Sequence, residues 1–461
     1  MEKPAISKAL VDYALQTDFD KIPKDVIDVQ KKALVDALAV SLGATTRGEG
    51  CDIYMDLARQ YESVGEATVI GAGFKAPVLE AALANGSLAH AIDFEDVHDR
   101  STMHSNAVPT AALLTVADYL GGISGREFLA AMVVASDTVI RLQLALKADA
   151  QGNGWYTPPV NGALGASLGV GKLFKLDAGQ MMDCLTLAQN QAIVSAELVN
   201  SSVSILRSVR DSFCTKAAVL AGLLAKKGLK ARFDTPLEGR YGFYTAVGRG
   251  EYDPEAILEG LGTYFHNGDV SFKPWSACRG THPYIDMMTQ LVREHGIRPE
   301  EITAVHVVVS PLNEMLFNPA EAKYRPTSAI NAKFSIPYTS AVAAYYGTVG
   351  LEHFTPEMMQ DERLLSLAAK FTYEVDRTLP KDRSLHGEMR IDTARGSFEA
   401  STDYPKGNKK NPMSTEEFRS KFVSCARYAR RGYSDAWAQE LFDTIMRVDE
   451  LEDMREITRL L

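Results

Sequence analysis

The stretch Ala89-His90-Ala91-Ile92-Asp93-Phe94-Glu95-Asp96-Val97-His98, followed shortly by His104, crowds carboxylates and imidazoles into one short span. An imidazole titrates near neutral pH, so beside a carboxylate it can take up and release a proton during a reaction. The same side chains are common metal ligands, but their spacing here fits no established metal motif, and no metal is assigned. A plainer reading is that some of them cap or solvate the end of a helix.

Two further groups could bind anions. In Phe272-Lys273-Pro274-Trp275-Ser276-Ala277-Cys278-Arg279-Gly280-Thr281-His282-Pro283, a lysine, an arginine and a histidine stand just before a helical pattern. A helix start offers free N–H groups, and the cations add charge, so the segment suits an anion; a hinge with solvated charges reads the same way. Cys278 as a nucleophile would need an activating base that sequence does not place. In the run from Ser201 to Asp211, Arg207 and Arg210 lie three apart, on one helix face or in a loop leading to a helix. A guanidinium fork suits bidentate carboxylate binding; the alternative is a surface ion pair with Asp211.

One look-alike is set aside. Gly165-Ala166-Ser167-Leu168-Gly169-Val170-Gly171-Lys172 resembles a phosphate loop, but Ala166 breaks the glycine pattern and Leu173 replaces the required Ser or Thr. No strand precedes it, so the dinucleotide fingerprint fails as well. Glycines that let helices pack closely are the better reading.

These groups must be held by the surrounding elements. Val26, Gln30, Ala33, Leu34, Ala37, Leu38 and Ser41 recur at helical spacing, with Pro23 before them and Gly43 as the expected stop. The same texture returns over 109–120, 125–142, 162–173, 178–198 and 213–227, with small residues on the apolar faces. After about residue 265 the pattern changes. Residues 304–310 form a β-rich run, and 388–401 read as a hairpin around Ala394-Arg395-Gly396, with helical stretches over 282–294 and 334–346. The polar run 406–412 precedes a capping box, Ser414 to Glu417, and the tail is helical. The expected fold is mainly α: a large all-helical domain (1–264), a smaller inserted α+β lid (265–405), and C-terminal helices (406–461) that rejoin the first domain.

Bulk properties narrow the function. A chain of 461 residues exceeds a typical single core. A net charge of −10 argues against a nucleic-acid backbone binder. No uninterrupted apolar run reaches 18 residues, so no membrane span is expected. Met1-Glu2-Lys3-Pro4 does not read as a signal peptide. Cys51, Cys184, Cys214, Cys278 and Cys425 are odd in number and scattered, and read as reduced thiols in a cytoplasmic protein.

Taken together, these segments resemble the MmgE/PrpD family. The resemblance is carried by Ala89 to Asp96, His104 with Val108-Pro109, Gly154-Trp155, Gly162 to Asp177, Lys273-Pro274 through Cys278 to His282-Pro283, and Ala332-Lys333-Phe334-Ser335. It runs from about residue 5 to about residue 440 in the family's order. The resemblance implies a helical domain built from both chain ends, an α+β lid, a homodimer, no cofactor, and a small polycarboxylate as substrate. The family's reactions include dehydration of 2-methylcitrate, decarboxylation of cis-aconitate and epimerisation of iminodisuccinate.

Residue by residue, the resemblance makes Asp93 the family's first acid and His104 its active-site histidine. Lys273 and His282 match the lysine and histidine of the lid, and Tyr324 its tyrosine. There are departures. Tyr156 stands where the family has a histidine, Arg207 where it has a substrate-binding lysine, and Val97 where it has a threonine. The expected assignment is His104 and His282 as the proton-transfer pair, Asp93 orienting His104, and Tyr156 as a replacement donor or space-filler. Arg207, Arg210, Lys273 and Tyr324 bind substrate. The shared step is charge developing on carbon beside a carboxylate, held by fixed cations. Dehydration is the first expectation, then isomerisation or epimerisation, then decarboxylation. A non-catalytic carboxylate-binding homologue is the alternative of a different class.

Overall fold

The computed structural model describes residues 5–199, 201, 204–380 and 383–461. The N-terminal tetrapeptide and the centre of the Ser201–Ser204 segment lie outside that set.

The chain divides into two compact units, Met1–Val270 with Thr415–Leu461, and Ser271–Ser414. The first unit is built on helices. Long ones span Lys24–Arg47, Ala107–Leu120, Gly125–Ala145, Thr157–Leu173 and Ser212–Lys226. Small residues determine how they pack. A Cβ at Gly165 would meet the Ala135 carbonyl oxygen at 2.4 Å, and one at Gly169 the Ala131 carbonyl oxygen at 2.8 Å. The phosphate-loop look-alike is therefore the contact face between Thr157–Leu173 and Gly125–Ala145.

Gly125–Ala145 is long and apolar enough to cross a membrane, yet it is mostly buried within this unit. It also carries a fully buried ion pair, Arg141 Nε to Asp137 Oδ2 at 2.7 Å. The remaining Arg141 nitrogens donate to the carbonyls of Ile257, Glu259 and Tyr264, which satisfies the guanidinium and fastens that later segment to the helix.

The C-terminal segment closes the first unit. Lys421, on the helix Thr415–Ala426, donates to Asp36 Oδ1 at 2.5 Å on the helix Lys24–Arg47. Near the end of the chain, Thr458 Oγ1 donates to Asp118 Oδ1 at 2.7 Å.

The second unit holds a four-stranded sheet in the order 371–375, 302–309, 387–393, 396–402. The first pair is parallel and the others antiparallel. The hairpin turns at Ala394-Arg395, with Gly396 at a φ of 127°. The helices His282–His295 and Ile336–Tyr346 contribute to its apolar core.

Several boundaries differ from expectation. Gly43 does not stop its helix; it is buried inside Lys24–Arg47, because packing outweighs its low helix propensity. The helix expected over 178–198 ends at Gln189, and a short 3₁₀ turn, Ala196–Val199, follows an irregular stretch. The unit seams shift as well. Residues 265–270 stay with the helices, where Asn267 Nδ2 donates to Gln30 Oε1 at 2.6 Å and the His266 amide to Asp137. The polar run at 406–412 stays with the second unit, since the Phe272 amide donates to the Gly407 carbonyl and the Lys406 amide to Asp286.

The close packing at Gly165 gives a direct test. Gly165→Ala places a methyl group against backbone and is expected to cost about 1–3 kcal/mol of stability despite alanine's better helix propensity. Denaturant unfolding checks this, with a stabilised variant as the contrary result.

Candidate active site

The helix Val78–Leu88 ends just before the acid–histidine stretch. The chain then turns tightly. The Asp93 amide donates to the His90 carbonyl at 2.8 Å, and Asp93 takes a left-handed φ of 51°. That turn folds Glu95 back onto the ring that precedes it.

The result is a buried carboxylate shared by two imidazoles. Glu95 Oε1 meets His90 Nδ1 in a short contact and His104 Nδ1 at 2.9 Å. The two rings lie 5.0 Å apart between centroids. His104 Nδ1 also lies 2.9 Å from the Asp96 carbonyl oxygen. Every oxygen facing these Nδ1 atoms is an acceptor, so Nδ1 carries the hydrogen in both rings and Nε2 is left as the basic atom. Asp93, Glu95 and His90 are buried, and His104 is slightly exposed.

The charges follow from this geometry. Burial works to raise the pKa of Glu95, but the interactions with His90 and His104 outweigh it and hold the group well below the usual range. Burial, aided by the charge of Arg210, pushes His90 down to about 3, so that ring stays neutral. Asp96 is raised, chiefly by burial, against the pull of its hydrogen bonds. Its Oδ2 accepts from Ser105 Oγ and Asn106 Nδ2, both at 3.0 Å. Asn106 in turn accepts from Gln30, so a polar chain ties the loop to the Lys24–Arg47 helix. Two neighbouring carboxyl groups with pKa values driven apart are a common feature of acid–base sites.

A cation stands nearby. Arg210 is buried in the loop leading to the helix Ser212–Lys226 and donates to the Tyr156 hydroxyl through Nη1. Its Nε pairs with Asp211 Oδ1 at 3.4 Å. Burial disfavours its charge, but Tyr156, Asp211, Glu95 and Asp93 together raise its pKa. Burial pushes Asp211 up to about 6. Tyr156 itself sits at the N-cap of the helix Thr157–Leu173. Arg207 lies half-buried in the same loop as Arg210, so the two arginines are on a loop and not on a helix face.

His90, Asp93, Glu95 and His104 place one ligating atom each within 4.8 Å of one another, a donor set that could take a divalent ion. His90 Nδ1 is engaged by Glu95 and His104 Nδ1 by the Asp96 carbonyl, which leaves Nε2 for any such role.

The structure thus groups Asp93 and His104, and sets Tyr156 with Arg210. Arg207 stays in the first unit, in the loop of Arg210, while His282, Lys273 and Tyr324 belong to the second unit. His282 is fully buried at the start of its helix, with Nε2 facing the Ala277 carbonyl at 3.2 Å and Nδ1 facing Arg279 Nη1 at 3.3 Å. Lys273 is buried, and Tyr324 donates to the Phe371 carbonyl at 3.2 Å. Glu95, His90 and Asp96 stood in the quoted stretch but received no role from sequence. The five-residue separation of His90 and Glu95 matches neither helix nor strand, and the left-handed turn at Asp93 brings the two together.

Comparisons with known proteins give a family for the chain and name an activity for relatives. Residues 8–255 match the MmgE/PrpD N-terminal domain and residues 275–441 the MmgE/PrpD C-terminal domain. A cis-aconitate decarboxylase of Aspergillus terreus is 26% identical, with 100% of this chain and 96% of the relative covered. A cis-aconitate decarboxylase-like protein of Aspergillus oryzae is 24% identical over 99% of this chain and 97% of its own length. The cis-aconitate decarboxylase of Homo sapiens is 25% identical over 95% and 90%.

The geometry at Glu95 makes a spectroscopic prediction. In ¹⁵N-histidine NMR, His90 is expected to show an Nδ1–H neutral ring that does not titrate between pH 8 and about pH 4, since its midpoint is pushed down to about 3. A midpoint near the ordinary 6.5 would contradict the burial and charge argument.

Proposed function

From its place in the MmgE/PrpD family, to which the chain belongs, we propose that this protein is a lyase that decarboxylates a small unsaturated tricarboxylic acid of the cis-aconitate type. The observation that carries the reading is the buried Glu95 carboxylate holding His104 and His90 by their Nδ1 atoms. Dehydration stood first on sequence grounds; the relatives' named activity moves decarboxylation ahead of it.

The chemistry follows from what the cluster offers. When the C–C bond to the departing carboxylate breaks, carbon dioxide leaves and the electron pair remains on carbon. A neighbouring double bond and a remaining carboxylate delocalise that pair, and a fixed cation lowers its energy. Arg210, buried and kept charged, is the cation of the first unit suited to a substrate carboxylate. The carbanion is then quenched by a proton. His104 supplies it from Nε2, and the Glu95 carboxylate opposite Nδ1–H stabilises the imidazolium needed for that transfer. Asp93 lines the same cluster and orients it. For Lys273, His282, Arg207 and Tyr324, the support is the family motif match alone.

Tyr156, Arg207 and Val97 depart from the family pattern, so the substrate's substituents are where this enzyme would differ from its relatives. Its reaction should be read by proton NMR in deuterated water with cis-aconitate, citrate, 2-methylcitrate and iminodisuccinate. The expected result is loss of cis-aconitate with deuterium entering beside a carboxylate of the product. His104→Ala should lower turnover by about 10²–10⁴-fold. Near-normal turnover in that variant would refute the proton-donor role. Consumption of 2-methylcitrate alone would return the reading to dehydration.

A further inference from the structure

We propose that Lys421, on a helix near the C-terminal end of the chain, is a positioning residue for the acid–histidine loop: its ammonium holds the Phe94 carbonyl between Asp93 and Glu95, and so fixes the turn that presents Glu95 to both imidazoles. The inference rests on the lyase reading for its activity readout, though not for its spectroscopic one.

A buried ammonium is costly unless it is hydrogen-bonded. Lys421 is 6% exposed, and such a group must find acceptors for its three donors. One is Asp36 Oδ1 at 2.5 Å, on the Lys24–Arg47 helix. If the pair served only to join two helices, that contact would be sufficient. Lys421 Nζ also donates to the Phe94 carbonyl at 2.6 Å and lies over the Phe94 ring, 4.0 Å from its centroid. Phe94 stands directly between the two acids of the cluster, and it follows the residue with a left-handed φ. That backbone conformation costs energy for a residue other than glycine, and it persists where surrounding contacts determine it. A charge-assisted hydrogen bond to the next carbonyl is such a contact.

A second effect is electrostatic. Asp36 lies close enough to Asp96 and Glu95 to feel their charge. Lys421 is therefore a cation set behind the loop, on the side of the Asp36 carboxylate, and it offsets the crowding of three buried acids. Asp36 itself is bound to neither histidine. Its carboxylate balances the charge of the ammonium, while the Phe94 carbonyl and ring keep the ammonium beside the loop.

Two functions of Lys421 can be separated by mutation. Asp36→Asn leaves the ammonium on Phe94 and is expected to keep turnover within threefold of wild type. Asp36→Asn with Lys421→Met removes both charges of the pair and, with them, the donor to Phe94. In that double variant turnover should fall at least tenfold, with KM changed less than threefold. The Nδ1–H resonances of His90 and His104 should also shift or broaden, while the melting temperature stays close to that of Asp36→Asn. Wild-type resonances and wild-type turnover in a folded double variant would overturn the proposal and reduce Lys421 to a link between helices. If wild type turns over no tricarboxylate, the lyase reading fails, and the resonances alone decide the role of Lys421. If the double variant does not fold, Lys421→Arg decides: its fork favours the carboxylate over the Phe94 carbonyl, so altered histidine resonances support the proposal and unaltered ones overturn it.

Discussion

A carboxylate taken out of water is costly, and Glu95 is completely buried. It is tolerated because two imidazole N–H groups converge on one of its oxygens, and the rest of the site follows from that requirement. The rings must approach from opposite sides of a turn, so the chain adopts a left-handed residue at Asp93. The neighbouring acid must not add a second full charge, so Asp96 is raised by burial while Ser105 and Asn106 satisfy its oxygen. The loop must not relax, so its carbonyl at Phe94 is held from behind by Lys421. The helices, packed closely through small residues, form the rigid frame for these contacts.

Much of this frame was legible in the sequence. Helical periodicity placed most of the long helices, and the failed phosphate-loop pattern correctly pointed to glycine-mediated packing, as the backbone distances at Gly165 and Gly169 demonstrate. The change of texture near residue 265 falls a few residues before the second unit begins at Ser271. Boundaries were less legible because tertiary contacts set them. Gly43 reads as a stop but is packed within a helix. The apolar pattern past Gln189 reads as helix but becomes irregular before the site loop.

The candidate site was legible in composition and only partly in arrangement. Asp93 and His104 lie in one cluster, yet the acid that meets both histidines is Glu95. A sequence separation of five residues gives no hint of contact until the turn is known. Tyr156 and Arg210 were each singled out, but nothing in sequence pairs residues so far apart; the structure joins them by a hydrogen bond. For His282, the helix that follows could be read, but the engagement of both ring nitrogens by Ala277 and Arg279 could not.

Glu95 makes His104 competent for proton transfer, while His90 stays neutral beside it. The most direct measurement is the turnover of Glu95→Gln beside Glu95→Asp, with tricarboxylate as substrate. The amide keeps the shape but lacks the negative charge that stabilises an imidazolium, so kcat should fall by about 10²-fold or more, with partial recovery in the aspartate variant. Glu95→Gln turning over at the wild-type rate would contradict the account.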